Sequence, residues 1–216
     1  MKRFLWVFLA LFLFWAALGN FIFCAYRLRD SFNQVRQQLV SIASNAALYI
    51  DAQQLLEVPL RPEGDHTLAY QAISEKLEKI KHTNSSLKYV YIMMTTQEPG
   101  ILQYVVDADP APKVITARCP SALPGDKYDA RAFPEMLEAY SGPAADKKIT
   151  PDQWGGFISG YAPIYDASGK SIAILGVDTD AARIFMLQKS VRLSALLSLA
   201  AFFIFFLTLF GIINKG

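Results

Sequence analysis

Two uncharged apolar runs, one near each end, constrain this 216-residue chain more than any other feature of its sequence. Residues 4–26 contain no charged side chain and a single strongly polar one, Asn20, and residues 193–213 form a second uncharged run. At about 1.5 Å per residue, a helix of either length can cross a hydrocarbon core of roughly 30 Å. The sequence therefore predicts a transmembrane helix in residues 1–26 and another in residues 191–216, around one domain in residues 27–190.

The first run has an alternative interpretation as a cleaved signal peptide, because Met1-Lys2-Arg3 supplies a positively charged start. An uncleaved anchor is favoured, since the run exceeds the usual apolar region of about 7–15 residues and no small-residue cleavage site follows it. Lysine and arginine counts near the membrane would place the middle segment inside the cell. Loops longer than about 60 residues cross largely regardless of charge, so the counts decide little here.

The segment between the two runs is nearly neutral, with 18 of the 21 basic residues against all 19 acidic ones. It has no basic stripe of the kind that nucleic-acid binding needs. The two cysteines, Cys24 and Cys119, are poorly placed to pair and indicate no disulfide framework or metal cluster. His66 and His82 are predicted to be solvated surface residues. We expect no catalytic site, no cofactor and no metal, and therefore a protein that is not an enzyme.

The middle segment closes with a predicted β-hairpin. Residues 156–165 are rich in aromatic and β-branched side chains, and residues 171–177 form an almost unbroken apolar run. Between them, Asp166-Ala167-Ser168-Gly169 has turn chemistry in which Gly169 takes a positive φ. An unbroken apolar strand is expected where both faces of a sheet are covered. The hairpin is therefore predicted at the centre of a sheet, and its last strand ends at the carboxylate of Asp178.

Helical periodicity continues outward from the first membrane run. An apolar seam recurs at steps of three and four residues along Phe32, Val35, Leu39, Ile42, Ala46 and Tyr49. This helix either packs on the sheet of its own domain or forms a seam between two copies, and a mixture of the two is favoured. A second helix is predicted from about Thr67, with Asp65 as its N-cap.

The remaining elements are two strands, a long loop and two helices. Residues 88–95 and 101–108 are predicted to form a strand pair, and residues 109–126 a proline-rich loop of the kind that often binds ligands. Residues 132–140 are predicted to be a short helix, and residues 181–190 a helix that continues into the second membrane run. The fold class is therefore α+β, an antiparallel sheet with a long N-terminal helix on one face and the loop over the other.

The run W-G-x-F-x-S-G-Y-A-P-I-x-D-x-x-G-K-x-x-A-I-L-G-V-D from Trp154 to Asp178, preceded by Gly142-Pro143-Ala144-Ala145-Asp146-Lys147, resembles the closing half of a Cache-type domain. These are PAS-like (PDC) extracytoplasmic sensor domains of bacterial transmembrane receptors. The resemblance implies a two-pass protein of the bacterial plasma membrane with its sensor domain outside. It also implies a homodimer through the helix around Phe32–Tyr49. Such receptors usually continue into a histidine kinase, diguanylate cyclase or chemoreceptor output, which residues 1–216 do not contain.

The predicted site is a ligand-binding pocket. Side chains alternate along a strand, so Ser159 and Tyr161 share one face of their strand, and Asp178 shares a face with the apolar residues before it. The predicted pocket has aromatic walls, a hydroxyl and one carboxylate, contributed by Tyr128, Trp154, Ser159, Tyr161 and Asp178. Such a mixture is typical of small-ligand sites. The alternative is that the aromatic residues only fill the core.

The resemblance adds an expectation about the ligand. In amino-acid-binding relatives a carboxylate at the end of the last strand contacts the ligand's amine, and Asp178 stands at the matching position. The predicted partner is therefore a small polar metabolite, an amine-bearing one being one class, and the predicted function is the ligand-sensing input module of a membrane signalling receptor. The alternative is a membrane-anchored interaction or assembly module that binds no small molecule.

Overall fold

The structure is a computed structural model that describes residues 2–109, 122–152 and 155–214. The helices are α1 (Lys2–Ala47), α2 (Ala52–Leu56), α3 (Leu68–Thr83), α4 (Pro134–Glu138) and α5 (Ala182–Asn214), with a 3₁₀ turn at Pro62–His66. The strands are β1 (Leu87–Thr95), β2 (Ile101–Asp107), β3 (Lys127–Asp129), β4 (Ala144–Ala145), β5 (Thr150–Asp152), β6 (Gly155–Tyr165) and β7 (Ser171–Asp180).

The chain divides into two compact units, one made of residues 1–34 with 182–216 and the other of residues 35–181. Two of the described helices are long and apolar enough to cross a membrane, within Val7–Ala47 and Lys189–Leu207. In the first unit these two helices contact each other, and the Asn20 amide of one donates a 2.7 Å hydrogen bond to the Ser198 hydroxyl of the other. The two apolar runs of the sequence are thus the two membrane-length helices.

The second unit is built on an antiparallel sheet. Among the described residues its strands follow the order β3-β2-β1-β7-β6-β4, and β5 also pairs with β6. The predicted hairpin, β6 and β7, lies inside the sheet, and β7 is hydrogen-bonded on its other side to β1. Gly169 has a φ of 82° in the hairpin turn, as predicted. The predicted pair of residues 88–95 and 101–108 is also present, as β1 and β2.

One face of the sheet packs against helices α1 and α3. Gly160 of β6 faces α1 so closely that a Cβ atom there would lie 2.6 Å from the backbone carbon of Leu39. Leu39, Ala43 and Ala46 are all buried in this layer. The residues of the predicted seam therefore differ in exposure. Leu39 and Ala46 are buried within their own domain, whereas Tyr49 is 73% exposed. The interpretation that this helix packs on the sheet of its own domain therefore holds for its buried side.

The opposite face of the sheet carries a cluster rich in tyrosine. Tyr91, Met93, Tyr104 and Tyr161 belong to this cluster, and α4 covers it through Met136. Side chains alternate across a strand, so this face and the helical face share the same strands. Covering on both sides explains why β7 is apolar along most of its length. The predicted proline-rich loop lies mostly outside the described residues, since 110–121 are not among them.

The start of α3 differs from its prediction. Thr67, not Asp65, is the N-cap, and its hydroxyl accepts a hydrogen bond from the backbone N–H of Tyr70. Asp65 instead belongs to the 3₁₀ turn that precedes the helix. Both residue types cap helices well, so sequence preference alone does not separate two candidates that lie two residues apart.

Candidate functional site

Four of the five predicted site residues lie on the tyrosine-rich face of the sheet. Tyr128 is on β3, Ser159 and Tyr161 are on β6, and Asp178 is on β7. In the β6–β7 register Ser159 lies opposite Asp178 and Tyr161 lies opposite Gly176, so these side chains project from the same face. All four side chains are buried, at 8% exposure or less. The fifth predicted residue, Trp154, lies outside the described residues.

Asp178 is held by a tyrosine that the sequence interpretation did not include. The Tyr91 hydroxyl, on β1, donates a 3.1 Å hydrogen bond to the Asp178 carboxylate in a buried position. The Tyr91 ring reaches this carboxylate by passing over Gly176, where an added Cβ would lie 2.4 Å from a ring carbon. Gly176, two residues before Asp178, therefore matters to this arrangement. Its lack of a side chain leaves room for the Tyr91 ring, whose hydroxyl holds the Asp178 carboxylate.

A second carboxylate, Asp146, lies in the same cluster. It is 4% exposed and follows the short edge strand β4. One carboxylate oxygen accepts a 3.1 Å hydrogen bond from the Tyr161 hydroxyl, and the other accepts a 2.9 Å hydrogen bond from the backbone N–H of Ser159. The backbone N–H of Asp146 in turn donates to the Ser159 carbonyl. Two predicted site residues are thus the partners of a carboxylate that was not predicted.

Aromatic rings form the wall of the cluster beside these carboxylates. Tyr91 and Tyr104 meet edge to face with ring centroids 5.8 Å apart, and Tyr104 and Tyr128 do the same at 6.3 Å. Phe133 continues the series, 5.6 Å from Tyr128. Edge-to-face contacts of this kind add about 0.5–1.5 kcal/mol per pair beyond the area they bury. The wall is therefore a packed array that holds the tyrosine hydroxyls in place.

Burial governs the protonation of this cluster. Loss of hydration raises the pKa of Asp146 to about 6, although its hydrogen bonds from Ser159 and Tyr161 act in the opposite direction. Burial also raises the pKa values of the Tyr91 and Tyr161 hydroxyls well above their ordinary value, and the charge of Asp178 adds to both shifts. The hydroxyls therefore remain protonated, and they donate hydrogen bonds to Asp178 and Asp146.

The buried charges of the described residues are of one sign. Four charged side chains are buried, and all are acidic: Asp107, Glu135, Asp146 and Asp178. Lys147 partly offsets this charge from an exposed position, with its ammonium nitrogen 3.1 Å from the Glu135 carboxylate. A buried carboxylate is costly unless it is paired or hydrogen-bonded, and the hydrogen bonds from Tyr91 to Asp178 and from Ser159 and Tyr161 to Asp146 meet part of that need. Asp146 and Asp178 therefore bring two acidic side chains together on the tyrosine-rich face.

Asp107, at the end of β2, is a buried carboxyl of a different kind. Its carboxylate accepts a 3.0 Å hydrogen bond from the backbone N–H of Asp109, and its backbone carbonyl accepts hydrogen bonds from the Tyr70 and Ser74 hydroxyls on α3. Asp109 itself forms an ion pair with Lys81. The two aspartates therefore mark the end of a strand and the turn that follows it.

Replacing Asp107 with asparagine should remove a pH-dependent loss of stability. Burial raises the pKa of Asp107 from 3.8 to about 7. A raised acid pKa means that its stabilising contribution is complete below about 3.8 and is lost as the pH rises through 7. At about 1.4 kcal/mol per pKa unit, the wild type should lose on the order of 4 kcal/mol across that range through this group.

Thermal unfolding of the full chain in nanodiscs at pH 4.5 and pH 8 measures this difference. We expect Asp107→Asn to unfold at a higher temperature than the wild type at pH 8, with the gap shrinking at pH 4.5. The asparagine can still accept the hydrogen bond from Asp109. An equal gap at both pH values would show that Asp107 is not the group that titrates.

No protein-family model matches the sequence, and no characterised protein sequence matches it either. Solved structures do match. The ligand-binding domain of the Campylobacter jejuni chemoreceptor Tlp3 in complex with L-valine aligns with a TM-score of 0.52 and 20% identity, covering 83% of this chain and 66% of that one. The chain has the fold of a chemoreceptor sensor domain. This result agrees with the PAS-like α+β sensor fold predicted from the closing hairpin.

Two further structures of the same chemoreceptor domain give the same result. The sensory domain of Campylobacter jejuni Tlp3 with isoleucine bound has a TM-score of 0.52 at 19% identity, covering 83% of this chain and 66% of that one. Its complex with 4-methylisoleucine has a TM-score of 0.50 at 18% identity, covering 81% and 63%. The chain thus spans slightly less than two thirds of the length of these sensor domains. The likeness establishes the sensor fold, and the site must be argued from this chain's own residues.

Proposed function

We propose that this chain is the extracytoplasmic ligand-sensing input module of a bacterial membrane signalling receptor. Residues 27–190 form the sensor domain, and residues 1–26 and 191–216 anchor it in the plasma membrane as two transmembrane helices. One observation carries the proposal: within a sensor fold, two buried carboxylates, Asp146 and Asp178, converge with tyrosine hydroxyls on one face of the central sheet. The chain acts by binding and not by catalysing a reaction.

The ligand class follows from the charge of that face. Asp178 accepts a hydrogen bond from Tyr91, Asp146 accepts hydrogen bonds from Ser159 and Tyr161, and the buried charged side chains of the described residues are all acidic. A small polar metabolite with a protonated amine would pair with these carboxylates, with Tyr128 and Tyr161 against its apolar part. The amino acids seen in the Tlp3 structures belong to this class. We therefore take Tyr128, Trp154, Ser159, Tyr161 and Asp178, with Asp146 and Tyr91, as the ligand site.

A screen of small molecules by thermal unfolding tests this function. The full chain in nanodiscs is heated with each of the L-amino acids, with other small amines, and with carboxylic acids that lack an amine. A ligand at about 100 times its Kd stabilises the folded state by about 2.7 kcal/mol, which is a rise of roughly 5–10 °C for a domain of this size. Stabilisation by amine-bearing compounds alone is expected. No stabilisation by any compound at millimolar concentration would favour the alternative, an interaction or assembly module.

Labelling in intact cells tests the orientation. In a chain whose Cys24 and Cys119 are replaced by alanine, Asp166→Cys places a single thiol in the β6–β7 turn, where the neighbouring residues are exposed. We expect a membrane-impermeant maleimide to label it without disruption of the membrane, because the domain lies outside. Labelling only after the membrane is broken would place the sensor domain in the cytoplasm.

We propose that the exposed side of α1 joins two copies of the chain. A groove of about 760 Å³ runs between α1 and α3 in the second unit, beside that side of the helix. It is lined mainly by apolar surface, from Ile42, Asn45, Ala46, Tyr49, Lys76, Lys79, Ile80, Thr83 and Asn84. The buried side of α1 is already occupied by its own sheet, so a partner would meet the other side.

Disulfide crosslinking of membrane-embedded protein tests the dimer. Single cysteines are placed along residues 37–49 in the cysteine-free background. Crosslinking should peak at Gln38, Ile42 and Asn45, which lie on one helical stripe, and at Tyr49 just beyond the end of α1. It should be low at Leu39 and Ala43, which are buried. Equal or absent crosslinking along the whole segment would mean that α1 serves its own domain only.

A further inference from the structure

Arg36 on α1 contacts the backbone that carries the second carboxylate of the site. Its Nε atom donates a 2.7 Å hydrogen bond to the backbone carbonyl of Asp146, and Nη2 donates a 3.1 Å bond to the carbonyl of Ala145. The planar guanidinium fork thus bridges two consecutive carbonyls, which a lysine ammonium cannot match in geometry. The bond joins residues 110 positions apart in the chain.

The strand that Arg36 holds is short. β4 consists of Ala144 and Ala145 alone, and it pairs with Tyr161 and Gly160 at the edge of the sheet. An edge strand exposes carbonyl groups that no neighbouring strand satisfies. Besides its pairing with β6 and the hydrogen bonds between Asp146 and β6, β4 receives the two hydrogen bonds from Arg36 at its otherwise open edge. The Asp146 carboxylate follows directly after it.

A second contact joins α1 to the part of the sheet next to Asp146. One turn beyond Arg36, the backbone of Leu39 packs against Gly160, where even a Cβ atom would overlap it. Gly160 lies between Ser159 and Tyr161, the two residues that donate hydrogen bonds to the Asp146 carboxylate. Helix α1 therefore contacts both the backbone of Asp146 and the strand that carries its partners.

We propose that Arg36 positions Asp146 and couples the state of this carboxylate to helix α1. A change at Asp146, either binding of a cation or loss of its charge, alters its hydrogen bonds to Ser159 and Tyr161 and so the seating of β4 on β6. Arg36 transmits that change to α1, the helix that continues without a break from Lys2 to Ala47. The proposal rests on the proposed function, because it takes Asp146 as part of the ligand site.

The charge of Asp146 can be changed without any ligand, which gives a direct test. The groups that face it are Tyr161 on β6 and Glu135 on α4, with Asp178 acting on Tyr161 and Lys147 paired to Glu135. Protonation of Asp146 near pH 6 serves as the probe. Backbone amide NMR signals of the full chain in nanodiscs are followed from pH 4.5 to pH 7.5 at Ser159, next to the carboxylate, and at Leu39 and Val40, on α1.

In the wild type we expect all three amides to shift with one midpoint near pH 6. In Arg36→Met the Ser159 amide should still titrate, whereas the shifts at Leu39 and Val40 should fall at least threefold. Asp146→Asn should abolish the common midpoint at every position. Arg29→Met, which removes a cation from an exposed position earlier on α1, should leave all three titrations unchanged.

Three results would overturn the coupling. They are the absence of shifts at Leu39 and Val40 in the wild type, their undiminished persistence in Arg36→Met, and their persistence in Asp146→Asn, which would assign them to another group such as Asp107, whose pKa is raised to about 7. If Arg36→Met does not fold, Arg36→Lys keeps the charge without the fork and should reduce the α1 shifts at least twofold; unchanged shifts would overturn the proposal. Since no ligand is used, a failed screen for small molecules and a failed coupling are separate results.

Discussion

Gly160→Ala is expected to destabilise the sensor domain by about 2–3 kcal/mol, because a Cβ atom there would lie 2.6 Å from both the backbone carbon and the Cβ of Leu39. The contacted atoms belong to a helix backbone, which has no alternative rotamer to adopt. Either α1 moves away from the sheet or β6 bends. Unfolding of the full chain in nanodiscs, followed by intrinsic fluorescence against urea, measures the loss.

Gly142→Ala is the matched control for this substitution. Nothing lies within 4 Å of a Cβ atom built at Gly142, so the same added methyl group should change the free energy of unfolding by less than about 0.5 kcal/mol. Equal effects of the two substitutions would contradict the close packing of α1 on β6. The loss at Gly160 should also weaken ligand binding, since Ser159 and Tyr161 flank it.

Asp178→Asn is expected to weaken binding of an amine-bearing ligand by about 2 kcal/mol or more, roughly 30-fold in Kd. The substitution keeps the shape of the side chain and an oxygen that can accept the Tyr91 hydrogen bond. It removes the charge that would pair with the ligand's amine. Titration calorimetry of the full chain with L-valine, L-isoleucine and the compounds that raise the unfolding temperature gives the Kd values.

The charge itself needs a control at a site away from the tyrosine-rich face. Asp166→Asn makes the same change in the β6–β7 turn, where the asparagine can still accept from Ser168 and Lys170, and should leave the Kd unchanged. If Asp178→Asn binds as tightly as the wild type, Asp178 is not part of the site. If it unfolds without ligand, its carboxylate serves the fold through Tyr91 and not the ligand.

The hairpin and its site face were predictable because they rest on local patterns. Alternation with period two placed Ser159 and Tyr161 on one face of the strand. The turn from Asp166 to Gly169 indicated where the chain reverses. The apolar run of β7 predicted layers on both faces, which α1, α3 and α4 provide. The two membrane-length helices were predictable from length and charge alone.

Asp146 and Tyr91 were not predictable in the same way. Asp146 follows a strand of only two residues, which is too short to show any alternation, and its partners lie 13 and 15 residues away. Tyr91 reaches Asp178 across the β1–β7 register, 87 residues along the chain. One signal in the sequence does bear on Tyr91: the glycine at 176, in an otherwise apolar strand, indicates close approach of another group.

The apolar seam on α1 shows a related limit of prediction from sequence. A stripe of apolar residues predicts that a helix face is covered, but not what covers it. Leu39 is covered by the chain's own sheet, and Gly160 is the residue that leaves room for the helix there. The need for a small residue on the partner strand became apparent only when the two elements were seen together.

Fluorine NMR of the full chain labelled with 3-fluorotyrosine tests most directly whether the tyrosine-rich face is the ligand site. Signals are assigned by single tyrosine-to-phenylalanine substitutions, and a ligand that raises the unfolding temperature is titrated in. The signals of Tyr91, Tyr128 and Tyr161 should shift together, saturating at the calorimetric Kd, while that of exposed Tyr165 stays fixed. A ligand that binds and stabilises the chain yet leaves all three buried signals in place would contradict the account.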